Sequence, residues 1–163
     1  MKNLSILFSL MLFATMAGAQ LKAKVVCPPI QVDVMAGQVN ELLQPKSAIS
    51  EIKTALPCFT DVVETDSASR CAGVFYKDKG LSFFSERRYI EINEQFKGKL
   101  SPALMGTSRS TLFNLLGHPK LKDTDWDAFQ MGYGTLILYY NKAGKINKIQ
   151  ICSRSTDAIK LCE

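Results

Sequence analysis

Five cysteines, one histidine and a short run of alternating aspartates are the residues of this 163-residue chain whose types and spacing could do chemistry. Catalysis needs an activated nucleophile, a matched acid and base, or a metal. His118 sits between Gly117 and Pro119, and no serine or cysteine is tied to it by a local signature, so it reads as a turn residue. Asp123, Asp125 and Asp127 place oxygen ligands at every second position, as a calcium loop does. Ala128 stands where that loop needs glycine and Gly134 where it needs the closing glutamate, so the run reads as a solvated acidic loop. Zinc is disfavoured by the single histidine and the lack of a C-x-x-C pair. No catalytic site, metal or cofactor is expected.

The cysteines Cys27, Cys58, Cys71, Cys152 and Cys162 point to oxidation instead, because they all follow a stretch that reads as a signal peptide. Residues 1–19 combine Lys2, an apolar run from Leu4 through Met16 and the small residues Ala17-Gly18-Ala19 before Gln20. The run is short for a bilayer span, and Gln20 stands where a lipidated cysteine would have to. The expected location is therefore periplasmic or secreted, with no membrane-spanning segment in the mature chain. Two bridges and one free thiol is the simplest count. Sequence fixes no connectivity, but proximity along the chain and an internal repeat favour Cys58–Cys71 and Cys152–Cys162, with Cys27 inert or paired to another chain. The net charge of +5 is spread over scattered lysines and arginines, with no block dense enough to track nucleic acid.

The elements that position these residues read as the same unit written twice. Ser47 through Pro57 forms a short capped amphipathic segment with Ile49, Ile52 and Leu56 on one face, Ser47 as N-cap and Pro57 as stop. Thr107 through Pro119 repeats it, with Leu112, Leu115 and Leu116 as the apolar stripe and Gly117-His118-Pro119 as terminator. Strands follow each. Val74-Phe75-Tyr76 and Leu81 to Phe84 flank a Lys-Asp-Lys-Gly turn, with Tyr89 to Ile92 as a third strand; Phe129 to Tyr133, Thr135 to Tyr140 and Lys145 to Cys152 form the second set. Ile30 to Val34 alternates like a strand, and Val39 to Leu43 reads as a helical turn. The expected fold is α+β, two tandem helix-then-antiparallel-sheet repeats with the helices packed on one sheet face. Residues 20–43 are then an N-terminal strand segment, 44–97 the first repeat, and 98–163 a connector, the second repeat and a tail.

Gly106-Thr107-Ser108, Thr111-Leu112, Leu115-Leu116-Gly117-x-Pro119 and the later Leu-Tyr-Tyr-Asn-Lys-Ala-Gly-Lys-Ile resemble the repeat of the SmpA/OmlA outer-membrane lipoproteins and of β-lactamase inhibitory protein. The first unit departs from that pattern, with Lys46 at the opening glycine and no glycine before Pro57. The resemblance implies a module whose helices cover one sheet face and leave the other for partners. In the inhibitory protein an aromatic-rich sheet clamps an enzyme; in the lipoproteins the module serves a membrane-protein assembly machine.

Strand alternation sets Phe75, Phe84 and Tyr89 opposite the aliphatic set that meets the helix, with Arg87 and Arg88 nearby; Trp126 and Tyr139 are the further candidates for contact. Aromatic residues with arginine suit an interface. The functional expectation is an exported protein-binding module, more narrowly an inhibitor or immunity protein acting on an envelope enzyme. An outer-membrane assembly or envelope-integrity accessory is the alternative, and an envelope hydrolase the least supported.

Overall fold

Strand residues that are β-branched or aromatic at every second position build most of this molecule, because such side chains pack best on a pleated, half-buried surface. The computed structural model describes residues 26–68 and 70–162. The signal peptide expected over 1–19 lies outside the described residues. The elements in order are β1 (Gln31–Asp33), β2 (Gln38–Val39), α1 (Ile49–Ala55), β3 (Asp61–Val63), β4 (Gly73–Tyr76), β5 (Leu81–Phe84), β6 (Tyr89–Asn93), β7 (Lys99–Ser101), α2 (Phe113–Leu116), β8 (Leu121–Lys122), β9 (Trp126–Met131), β10 (Gly134–Tyr140) and β11 (Ile146–Cys152). Short 3₁₀ turns occupy Lys77–Lys79, Arg109–Thr111 and Thr156–Ala158.

Eight strands form one antiparallel sheet in the order β3-β4-β5-β6-β11-β10-β9-β8, and β2-β1-β7 form a second, smaller sheet. The large sheet consists of two four-stranded meanders joined where β6 pairs with β11. Its register lines up Val74, Phe83, Ile90, Ile151, Leu136 and Phe129 in one cross-strand row, and Tyr76, Leu81, Ile92, Ile149 and Leu138 in the next. These rows are buried and form the core face. Ile52 from α1 and Leu56 just after it, Val32 and Val39 from the small sheet, and Ile30, Val34, Leu43, Leu104 and Leu112 from loops complete that core. Tyr133 ties the two sheets together: its hydroxyl donates to the Val34 carbonyl at 3.0 Å, and its ring lies against Gly37, where φ is +68° and a Cβ would strike the ring.

The α+β expectation of two helix-then-sheet repeats is corrected. The described chain is mostly β, with eleven strands in two sheets and two short α-helices. The reason is where backbone donors and acceptors go. Around Thr107 they turn to the sheet: Gly106 N–H reaches Ile146 O, Ile146 N–H reaches Thr107 O and Arg109 N–H reaches Gly144 O. Only the four residues Phe113–Leu116 remain as α2, and none of them is buried. Leu112 faces the core, whereas Leu115 is 49% exposed, so the expected apolar stripe is only partly inward. Ile52 in α1 and Leu56 at its C-cap face inward as expected, but Ala48 is the N-cap residue; Ser47 Oγ accepts from Gln44 N–H, and Glu51 accepts from Ala48 N–H at 3.0 Å. The helical turn expected at Val39–Leu43 is instead the β2 hairpin, since Asn40 and Glu41 take φ of +51° and +58°, outside the right-handed helix. The connector contributes β7, which runs parallel to β1.

The expected bridges Cys58–Cys71 and Cys152–Cys162 are also corrected. Cys27 pairs with Cys58 and Cys71 with Cys162, with Cα separations of 5.6 and 6.1 Å, and Cys152 is a buried free thiol. The β3–β4 register, Asp61 opposite Phe75 and Val63 opposite Gly73, carries Cys58 and Cys71 to opposite ends of the ladder. That places them about 20 Å apart at ~3.3 Å per residue, whereas a bridge needs Cα atoms within about 7 Å. Cys27 is therefore neither inert nor available to another chain.

Candidate partner-binding face

The strand alternation that sends the aliphatic residues to the core sends a mixed aromatic and polar set to the other face of the large sheet. Three cross-strand rows define it. The first runs Phe84, Tyr89, Cys152, Thr135, Gln130; the second Phe75, Ser82, Glu91, Gln150, Ile137, Ala128, Leu121; the third Asn93, Lys148, Tyr139, Trp126. Five of the seven sequence-predicted contact residues, Phe75, Phe84, Tyr89, Trp126 and Tyr139, thus share one face.

At one end the rings form a continuous stack. Phe75 meets Phe84 edge-on at 5.4 Å between centroids, and Phe84 stacks on Tyr89 at 4.4 Å with an interplanar angle of 14°. Phe75 and Phe84 are half-buried, but Tyr89 is 1% exposed, so it belongs to the support of this cluster and not to its open surface. Its phenolic oxygen accepts from Cys162 N–H at 3.2 Å, and burial raises its pKa far above the ordinary tyrosine value. Arg87 lies beside the cluster, held by Asp66 at 2.9 Å, and Arg88 is exposed in the β5–β6 turn with φ of +59°. The Arg88 carbonyl accepts from Ser153 N–H at 3.0 Å.

Toward the third row the face becomes a polar ladder. Tyr139 O–H donates to Gln150 Oε1 at 2.9 Å, and Gln150 Nε2 donates to Glu91 Oε2 at 2.8 Å. Lys148 Nζ approaches Glu91 at 3.8 Å and sits 4.0 Å from the centroid of the Tyr139 ring. Burial, helped by the Glu91 charge, pushes the Tyr139 pKa up to about 12, so the ladder keeps its phenol proton through the physiological range. Trp126, half-buried, ends the row beside Tyr139. Gln150, Glu91 and Lys148 were not among the sequence candidates. The signal was available in Lys148-Ile149-Gln150-Ile151, where alternation hands two polar side chains to the face that carries Tyr139.

The middle of the first row, Tyr89, Cys152 and Thr135, is covered by residues 153–162. Thr135 Oγ1 donates to the Arg154 carbonyl at 2.8 Å, Arg154 N–H points to Cys152 Sγ at 3.5 Å, and Thr156 donates through N–H and Oγ1 to Gln130 Oε1, both at 3.4 Å. Beneath this cover Thr135 and Cys152 are fully buried, and burial pushes the Cys152 thiol pKa up, away from reactivity.

The other chemistry-bearing residues gather on the opposite side. Asp127, 4% exposed, accepts from Arg109 through both oxygens at 2.9 and 2.6 Å and from the Tyr140 hydroxyl at 2.8 Å. Arg109 also donates to the carbonyls of Thr124 and Asp123, at 2.9 and 2.7 Å, and lies over the Tyr140 ring. All three guanidinium nitrogens are thereby engaged, and this knot pins the 3₁₀ turn at Arg109 to β9 and β10. Its carboxylate is the last of the three alternating aspartates. A cleft of ≈490 Å³ beside it is lined by Ser108, Phe113, His118 and Lys122 among others, with the His118 ring 4.5 Å from that of Phe113. Among the described residues there is no group of three or more His, Cys, Asp or Glu placed to hold a metal ion.

The aromatic face offers partly exposed ring surface and a paired lysine and glutamate, with the Gln150 amide buried between Tyr139 and Glu91 as their support. The two disulfides mark a protein that folds outside the reducing cytoplasm. Among the described residues no helix is long and apolar enough to cross a membrane. A scan against protein-family models finds no match, and neither do comparisons with curated proteins and with solved structures.

Proposed function

We propose that this chain is an exported protein-binding module, periplasmic or secreted, whose contact surface is the face carrying Phe75, Phe84, Trp126 and Tyr139. The observation that carries the reading is the convergence of these residues on the sheet face opposite the core, where they remain half-buried beside a Lys148–Glu91 pair. Rigid, amphipathic aromatic side chains are the residues on which contact energy concentrates, and truncating one at a hot spot costs about 2 kcal/mol or more of binding. Arg109, the arginine that lines the cleft holding His118, has its guanidinium occupied by Asp127 and two carbonyls, which also favours binding over catalysis. The test is photocross-linking in the native envelope, with a benzophenone side chain placed at Phe75, Trp126 or, as the control on another surface, the exposed Met35. A discrete adduct with a protein from the first two positions and not from Met35 is expected. Adducts from Met35 alone, or none from Phe75 and Trp126, would overturn the reading.

A further inference from the structure

Residues 153–162 cross the first row of the contact face from one half of the sheet to the other. Thr156 is held at Gln130 on β9, and Cys162 is bonded to Cys71, just before β4. Between β9 and β4 lie five inter-strand steps. At ~4.8 Å each they span about 24 Å. The six residue steps from Thr156 to Cys162 reach about 20 Å when extended, and the Cys71–Cys162 Cα separation of 6.1 Å supplies the remainder. The 3₁₀ turn at Thr156–Ala158 shortens that reach and holds some length in reserve, so it is the anchors at its two ends that fix the segment across the row.

Without the disulfide the segment from Thr156 onward is fastened by few contacts, while its near end stays held by Thr135 Oγ1 on the Arg154 carbonyl at 2.8 Å and by Ser153 N–H on the Arg88 carbonyl at 3.0 Å. Thr156 is its only buried residue among those described. The hydrogen bonds at Gln130 are long, the bond to Tyr89 is a single 3.2 Å contact, and Arg154 Nε is buried without a partner, which penalises the closed position. Beneath it lie Tyr89, Cys152 and Thr135, all buried; Gln150, Ile137 and Ala128 in the neighbouring row are buried as well.

We propose that residues 153–162 are a strap latched by Cys71–Cys162, and that a dithiol reductant opens it and uncovers the Phe84–Tyr89–Cys152–Thr135 row. One thiolate of the reductant attacks a sulfur of the bridge and forms a mixed disulfide. Its second thiolate then displaces the protein sulfur, so the reductant leaves as a disulfide and Cys71 and Cys162 each gain a proton as thiols. The effect on partner contact rests on reading this face as the contact surface; the latch itself does not.

Cys152 reports the state of the strap, because Arg154 N–H lies directly on its sulfur. The experiment measures iodoacetamide labelling of Cys152 by mass spectrometry in the wild type, in C71S/C162S and in C27S/C58S, with near-ultraviolet circular dichroism and thermal melts on each. Labelling at least tenfold faster in C71S/C162S than in the other two, with a cooperative melt retained, is expected. A rate within twofold of the wild type, or one that rises only in step with global unfolding, overturns the latch. Should C71S/C162S not fold, C27S/C58S treated with dithiothreitol replaces it, since its one remaining bridge is Cys71–Cys162. Cys152 must then label on molecules whose bridge is open, and failure to label there overturns the proposal. Cross-linking from Phe84 in the released protein decides the consequence separately: a gain over the latched form is expected, and no gain removes the link to partner contact while Cys152 labelling still decides the latch.

Discussion

Replacing both Cys27 and Cys58 with serine isolates the stability that this bridge supplies. Cys27 is exposed and Cys58 half-buried, so the change opens no cavity, and its effect falls on the unfolded chain. The bond closes a loop of sequence separation 31. The chain-entropy relation gives about 3.7 kcal/mol for a loop of that length at 25 °C, and measured bridges usually deliver about 2–4 kcal/mol. For a chain of this size roughly 3–4 °C of melting temperature goes with each kcal/mol, so a fall of about 8–15 °C is expected. Cys27→Ser and Cys58→Ser alone must each cost nearly what the double variant costs, because either one breaks the same bond. Urea unfolding should also show a larger m-value in the variants, since the released unfolded chain exposes more surface. Non-reducing peptide mapping gives the connectivity directly. A Cys58–Cys71 peptide, or a Cys27→Ser protein within about 0.5 kcal/mol of wild type while Cys58→Ser is strongly destabilised, would refute the reasoning.

Three further outcomes follow from the same geometry. Asp127→Ala leaves Arg109 and the Tyr140 hydroxyl without their acceptor; because the Arg109 side chain is 26% exposed and can recover water, the loss should sit at the lower end of the range for a broken buried pair, about 3 kcal/mol by urea unfolding. Asp127→Ala in an Arg109→Met background should cost distinctly less, and equal costs in the two backgrounds would show that the pair is not coupled. All five tyrosines, Tyr76, Tyr89, Tyr133, Tyr139 and Tyr140, have pKa values raised chiefly by burial, Tyr139 to about 12 and the others further. A raised folded-state pKa gives stability that is complete below the unfolded value near 10 and lost as pH climbs above it. Tyrosinate absorbance at about 295 nm should thus appear in one cooperative step together with alkaline unfolding; a gradual rise near pH 10 in the still-folded protein would contradict this burial. Tyr76→Phe removes a hydroxyl that donates to the Leu56 carbonyl at 2.6 Å inside the core, and should cost about 1–2 kcal/mol in urea unfolding, with no change expected in the cooperativity of the transition.

Strand faces were legible because they depend on residues two apart. Val74, Phe83 and Ile90 go one way and Phe75, Phe84 and Tyr89 the other as soon as the segments pair in antiparallel register, and nothing distant can exchange the two sets without slipping every strand. Helix content was less legible because the Thr107–Leu116 pattern competes with a sheet turn for the same backbone groups; Gly144, 35 residues beyond Arg109, and Ile146, 40 residues beyond Gly106, win their bonds. The cysteine pairing failed for a related reason. Nearness along the chain favours Cys58 with Cys71, but a β-ladder converts thirteen residues of separation into distance, whereas crossing the sheet brings residues ninety apart together. The same physics governs the aromatic face. Tyr89 has the alternation of a surface aromatic and the neighbours of one, yet it is buried because Cys162, 73 residues later, settles on its hydroxyl. Local periodicity therefore decides which side chains share a face, and a remote segment, tied back by Cys71–Cys162, decides which of them solvent can reach.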